Sequence, residues 1–270
     1  GGDDCYSDLR PTSNYLGVES SIPAVKMEKV EKLAVPCLPV GEGPHWQEDL
    51  QALLFVDVFA KKLRRHFINT GRSQELYLDD GDSATHVSMV IPVEDDPEMM
   101  VVALGKNLSV VHWSVDDPDI HTTKPKVLHT TTDHRFNDAK CDPQGRLWAG
   151  NQRVLLNYPE AGLHDQMPDG MTIDIDGNLW VACFFGRQVI CVDPKEAKVI
   201  RKIAIPSKNV TSVCWGGKDY STLYVTSGAL MTTPEERAAY PSSGGTFAVT
   251  GLGTKGTPPV NYKVNLDKLK

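Results

Sequence analysis

Four short clusters in this 270-residue chain carry side chains that could do chemistry. The first is Gly41-Glu42-Gly43-Pro44-His45-Trp46. A carboxylate between two glycines can be brought close to an ion, because glycine backbone takes tight conformations. Read alone, GEGPHW is first of all a turn. The second cluster, His134-Arg135-Phe136-Asn137-Asp138-Ala139-Lys140, gathers a guanidinium, an amide and a carboxylate, and by itself reads as a solvated loop. The third is Met167-Pro168-Asp169-Gly170-Met171, where an Asx-turn is the plain alternative for Asp169. The fourth, Val210-Thr211-Ser212, reads by default as core or turn. Two carboxylates and an amide make a hard-oxygen set. Such a set suits Ca²⁺, Mg²⁺ or Mn²⁺, or Zn²⁺ in an open site.

Other motifs fail on their context. Gly251-Leu252-Gly253-Thr254-Lys255-Gly256 has the GxGxxG spacing, but Pro258-Pro259 follows instead of a helix, so dinucleotide binding is excluded. No GxSxG elbow and no GxxxxGK[ST] loop occurs. The eight histidines form no HExxH or HxH pair, and His45, His86, His112 and His134 read as structural or surface residues. Six cysteines without CxxC spacing read as buried, reduced thiols. The sequons at Asn107 and Asn209 carry no weight without secretion.

Something must hold the four clusters in register, and a repeat does so. Strand-like runs recur at Leu54–Asp57, Met100–Ala103, Leu147–Gly150, Leu179–Ala182 and Leu223–Thr226, each after a turn rich in Asp, Gly or Pro. Two of these units are nearly one phrase, DPQGRLWAG and DIDGNLWVA. After four of the runs a second strand follows: KLRRHF, LSVVHW, QVICVD and GTFAVT. Aligning Phe55, Val101, Trp148, Trp180 and Tyr224 gives intervals of 46, 47, 32 and 44. Three of the four match the length of a four-stranded propeller blade. Helical periodicity is absent between the runs, which argues against βαβ units. The spacing predicts an all-β propeller, in which blades need neighbours on both sides. All four chemical clusters precede a repeat by a similar distance, so they would converge on one face.

The interval of 32 is too short for one blade and far too short for two. If it stands for two ordinary intervals, about 62 residues are absent between Gly150 and Asn151. The alternative is one irregular short blade.

Composition closes off other classes. A net charge of −7 with no basic stripe speaks against nucleic-acid binding. No apolar run approaches a membrane span and no signal peptide is visible, so a cytoplasmic location is expected. Residues 1–30 are polar and unpatterned and are expected to form a tail, with 31–270 as a single domain.

In order along the chain, GEGPHW, LLFVDV, RFNDAK with DPQGRLWAG, PDGMTIDIDGNLWVACFFG, TSVCWGGKDYSTLYVTSG and VTGLGTKG resemble the regucalcin family. This family is also called senescence marker protein 30 or gluconolactonase-like, and it includes insect luciferin-regenerating enzymes. The resemblance runs from about residue 28 to residue 256. It implies a six-bladed β-propeller with one divalent metal ion (Zn, Ca, Mn or Mg) in the channel, hydrolysing small-molecule sugar lactones. It also implies that Glu42 and Asp169 are metal ligands, with Asp169 as the base, and that Arg135 and Asn137 bind substrate. The family has a further asparagine ligand in an Asn-Gly-Leu phrase. This chain contains no Asn-Gly pair, and after LWAG it runs straight into NQRVLLNY. About a blade or more, and that ligand, are therefore expected to be missing after Gly150. The expected function is metal-dependent lactone opening. The alternatives are a non-catalytic calcium-binding or other divalent-ion-binding regulatory propeller, or an inactive truncated isoform.

Overall fold

The structure is a computed structural model that describes residues 27–117, 121–132, 135–137, 140–141, 147–148 and 156–263. The first strand is β1 (Lys29–Lys32). A first blade follows with β2 (Gly41–Gln47), β3 (Ala52–Asp57), β4 (Lys62–Phe67) and β5 (Ser73–Leu78). The second blade contains β6 (Val87–Val93), β7 (Asp96–Leu104) and β8 (Asn107–His112). Next come β9 (Thr122–Thr123), which pairs in parallel with β5, and β10 (Lys126–Thr130), which is the outer strand of the second blade. A two-stranded antiparallel ribbon is formed by β11 (Lys140–Cys141) and β12 (Leu147–Trp148). The third blade is β13 (Met167–Ile173), β14 (Leu179–Phe184), β15 (Gln188–Asp193) and β16 (Lys198–Ala204). The fourth blade opens with β17 (Asn209–Gly216) and β18 (Thr222–Gly228). It then takes in a short helix, α1 (Pro234–Ala239), and β19 (Phe247–Thr250), and its outer strand is β1 from the other end of the chain.

Four blades of four antiparallel strands and one ribbon are thus present among the described residues, where the resemblance implies six blades. The repeated runs are the second strands β3, β7, β14 and β18, and the phrases after them are the third strands β4, β8, β15 and β19. Among the described residues the LW pair of β12 has its partner before it, in β11. The tail boundary expected at residue 30 falls inside β1, which pairs Lys29–Lys32 with Thr250–Phe247. Residues 1–26 lie outside the described residues.

The strands of the first and fourth blades are apolar on both faces because each of these blades is sandwiched between two neighbours. Leu54 and Val56 of β3 pack toward Val90 and Val102 of the second blade. Leu53 and Phe55 pack toward Cys214 and Tyr224 of the fourth. Trp46 stacks on Tyr224 at 5.4 Å, and Trp180 meets Trp215 edge-on at 5.3 Å where the third and fourth blades join. The blades therefore run third, fourth, first, second around the ring. A C-terminal strap ties all four in turn. Ile175 N donates to Lys255 O and Gly256 N to Tyr220 O. Asn261 Oδ1 lies 3.0 Å from His45 Nε2, and Tyr262 N donates to Pro92 O at 2.9 Å. The GLGTKG phrase leads into this strap and opens no helix, as its sequence context required.

Candidate functional site

The inner strands share one device. In each, the ladder slips near its start: after Glu42 in β2, at Ser88 in β6, at Asp169-Gly170 in β13 and at Thr211 in β17. A bulge bends its strand and re-aims a side chain out of the regular alternation. The residues at the four bulges, Glu42, Ser88, Asp169 and Thr211, all line one cavity of about 340 Å³. That volume is in the range of small-molecule sites.

Glycine makes two of these bulges possible. Gly43 has φ +52°, and its backbone lies against Ser88 and Met89 of the second blade. Its N–H donates to Glu42 Oε2 at 2.9 Å, which fixes the half-buried carboxylate. Gly170 presses so closely on Ser212 of the fourth blade that any Cβ would overlap the serine side chain. Asp169, also half-buried, is held between that contact and Pro168. Thr211 is fully buried; its hydroxyl donates to Gly41 O at 2.6 Å and lies 2.9 Å from the Thr226 hydroxyl.

Arg135 and Asn137 are exposed residues at the same cavity. Between them Phe136 packs on the core of the second blade and donates its N–H to Gly105 O at 3.0 Å, anchoring the segment. All four expected site residues, Glu42, Arg135, Asn137 and Asp169, are therefore brought to one cavity. His134 and Asp138 of the same cluster lie outside the described residues. Val40, Val58, Phe59, Met167, Pro168 and Phe184 complete an apolar wall.

Ser88 and the apolar wall are not singled out by sequence motifs. Ser88 does carry a signal: Glu42, Ser88 and Thr211 each stand 13 residues before Phe55, Val101 and Tyr224, and Asp169 stands 11 before Trp180. Behind the site, burial, helped by Cys183 and the charge of Asp169, pushes the Tyr158 phenol far up, so it stays protonated. The histidines behave as structural groups. His45 is buried against Asn261, His86 meets Phe59 edge-on, and His112 reaches Glu98 at 3.3 Å on the surface. Cys183, Cys191 and Cys214 are free and buried, whereas Cys37 is free and exposed.

The sequence model of the SMP-30/Gluconolactonase/LRE-like region matches residues 40–163 and 151–229. The chain belongs to that family. A regucalcin of Danio rerio is 29% identical over 300 aligned positions, which cover 87% of this chain and 98% of that protein. The Homo sapiens regucalcin is 28% identical over 291 positions, covering 82% and 94%. Among solved structures, a luciferin-regenerating enzyme superposes with a TM-score of 0.77 at 26% identity, covering 88% of this chain and 100% of that one. A calcium-binding regucalcin from Agrobacterium tumefaciens shares the fold, with a TM-score of 0.73 at 17% identity.

The donor set of this SMP-30-like cavity fits a hard cation. Its polar lining is two carboxylates, an amide, two hydroxyls and a guanidinium, without thiol or imidazole. Among the described residues no cluster of three or more His, Cys, Asp or Glu side chains exists, so protein carboxylates alone would leave such an ion partly open to water or substrate. No helix among the described residues is long and apolar enough to cross a membrane.

Proposed function

We propose that this protein is a divalent-cation-dependent lactonase acting on small sugar lactones. The observation that carries this reading is the convergence of Glu42, Asp169, Arg135 and Asn137 on one cavity. Glu42 and Asp169 would hold the cation, which when bound supplies Lewis acidity toward an ester carbonyl. Asp169 takes a proton from the attacking water. The water oxygen bonds to the carbonyl carbon, the ring C–O bond breaks, and the proton passes from Asp169 to the departing ring oxygen. Arg135 and Asn137 donate hydrogen bonds to substrate oxygens and orient the lactone. The buried free thiols suit a reducing, cytoplasmic setting. The resemblance implies a further asparagine ligand in an Asn-Gly-Leu phrase, and the 270-residue sequence holds no Asn-Gly pair.

Purified protein is expected to open an aldonolactone with added Mn²⁺, Zn²⁺ or Ca²⁺, and Glu42→Gln is expected to abolish turnover. Equal rates in the presence of EDTA would falsify the metal mechanism. The two carboxylates at the cavity among the described residues, without a third, favour a second reading, a calcium-binding propeller without turnover. Ca²⁺-dependent thermal stabilisation with no lactone hydrolysis would select it.

A further inference from the structure

The polar and apolar groups of the cavity lie at different depths. Glu42, Ser88, Asp169 and Thr211 are the second or third residues of their inner strands, at the bulges. The apolar lining stands at the strand ends. Val40 precedes β2, Val58 and Phe59 follow β3, Met167 opens β13 and Phe184 closes β14. Among the described residues this makes an apolar collar on the first and third blades around a polar floor. Arg135 and Asn137 stand on the side of the second blade, where Phe136 is anchored. Phe59 is 46% exposed and Met167 51%, so apolar surface at the mouth is left in water.

The two aromatic rings of the collar are held in place. Behind Phe59, the buried Lys61 pairs with Asp80 at 2.7 Å and donates to Asp82 O at 2.7 Å. The Phe59 ring itself meets His86 edge-on at 4.7 Å. Phe184 meets Phe185 edge-on at 4.6 Å. Phe185 holds φ +64°, a costly conformation for a bulky residue, and Arg187 Nη1 ties the turn down by donating to the Tyr240 hydroxyl at 2.6 Å. Strain of this kind clusters at ligand-binding sites.

The polar lining, by contrast, leaves few groups for a polyol. The Thr211 hydroxyl is already bonded to Gly41 O and lies against Thr226. With Glu42 and Asp169 on a cation, the described lining keeps Arg135, Asn137 and Ser88, whose hydroxyl has no partner among the described residues. A fully hydroxylated ring would turn its remaining hydroxyls to the collar, where hydrogen bonds lost from water are not replaced. An alkyl group is favoured there, by about fourfold for each methylene fully buried. We infer that the preferred substrate is a lactone bearing an alkyl substituent. Its carbonyl lies at the polar floor and its substituent on Phe59, Met167 and Phe184. This rests on the lactonase reading and names the substrate class within it.

The test measures kcat/KM with Mn²⁺ for γ-valerolactone, γ-hexalactone, γ-octalactone and an aldonolactone, each relative to its uncatalysed rate. The ratio is expected to rise about threefold per added methylene and to be lowest for the aldonolactone. Phe59→Ala and Phe184→Ala should each cut the rise to below about twofold, and Phe59→Leu should restore most of it. A flat series with the aldonolactone opened overturns the inference and leaves the lactonase reading standing. A slope that survives in both alanine variants overturns the placement on the collar. If no lactone is opened, the matching γ-alkyl lactams, which resist hydrolysis, are titrated calorimetrically. Affinity that rises with chain length then keeps the apolar subsite and discards lactone hydrolysis, and affinity that does not rise discards both.

Discussion

In the first blade, Leu54 and Val56 face the second blade while Leu53 and Phe55 face the fourth, so both sides of β3 are sealed. In the third blade, Trp180 and Ala182 face the fourth, but among the described residues the opposite side has only Tyr158, Leu163 and their neighbours over its middle. Each of these two blades hands one carboxylate to the cavity through the same kind of bulge. Glu42 thus stands on a strand gripped from two sides, and Asp169 on a strand gripped from one, at the Gly170–Ser212 contact. The same local device can serve a site with unequal support. The repeat supplies the aim of the side chain, and the neighbouring blades supply its rigidity.

The largest expected effect tests this asymmetry directly. Leu54→Ala removes a fully buried side chain between two blades and is expected to cost about 2–5 kcal/mol. Met171→Ala removes a side chain of similar size from the less covered side of the third blade and is expected to cost less than about 1 kcal/mol. Denaturant unfolding of the two variants measures both. Equal losses would erase the distinction between the blades.

Acid should act on the sealed side. His45 lies on β2, and burial, reinforced by the nearby Lys140 charge, pulls its imidazole down to about 4, against the opposing hydrogen bond that the ring N–H donates to Asn261 Oδ1. Above pH 6.5 the ring is neutral in both folded and unfolded chains and stability is indifferent to it. As pH falls from 6.5 toward 4 the unfolded chain binds a proton that the folded chain refuses, so stability drops, levelling off below about 4. The full loss is about 3 kcal/mol. His45→Gln should flatten that part of the stability–pH curve. An unchanged slope would mean that the titration arises elsewhere in the ring.

Much of this arrangement was legible in the sequence. Strands sealed on both faces carry uninterrupted apolar runs, so LLFV within β3 and LYV within β18 announce themselves. Glu42 and Asp169 stood out because glycine beside a carboxylate permits a close approach, although each phrase alone reads first as a turn and their roles are implied only by the family resemblance. Ser88 was marked only by its spacing before Val101, since VSMVIPV reads as an ordinary buried strand and the slip that turns the serine to the cavity is decided by pairing with β7. The outer strand β1 was hidden. KVEK has no apolar pattern, and its partner β19 lies at the far end of the chain. The strap at 255–262 has almost no regular structure, so no periodicity could reveal it.

The smallest predicted effect probes how the two carboxylates are kept in register. Thr211 sits on β17, between the strands that carry Glu42 and Asp169, and its hydroxyl reaches across to Gly41 O, next to Glu42. Thr211→Val keeps the volume and deletes the hydroxyl, so both its cross-blade hydrogen bond to Gly41 O and its contact with the Thr226 hydroxyl are lost. A stability loss of about 1 kcal/mol is expected. If the bond positions Glu42, Mn²⁺ should also bind severalfold more weakly in a calorimetric titration. Asp169, held from Ser212, should keep its place, so the pH profile of turnover should stay the same. A weaker affinity with an unshifted profile would locate the effect on the Glu42 side of the cavity. A shifted profile would show that β17 couples the two carboxylates and that their support is not independent.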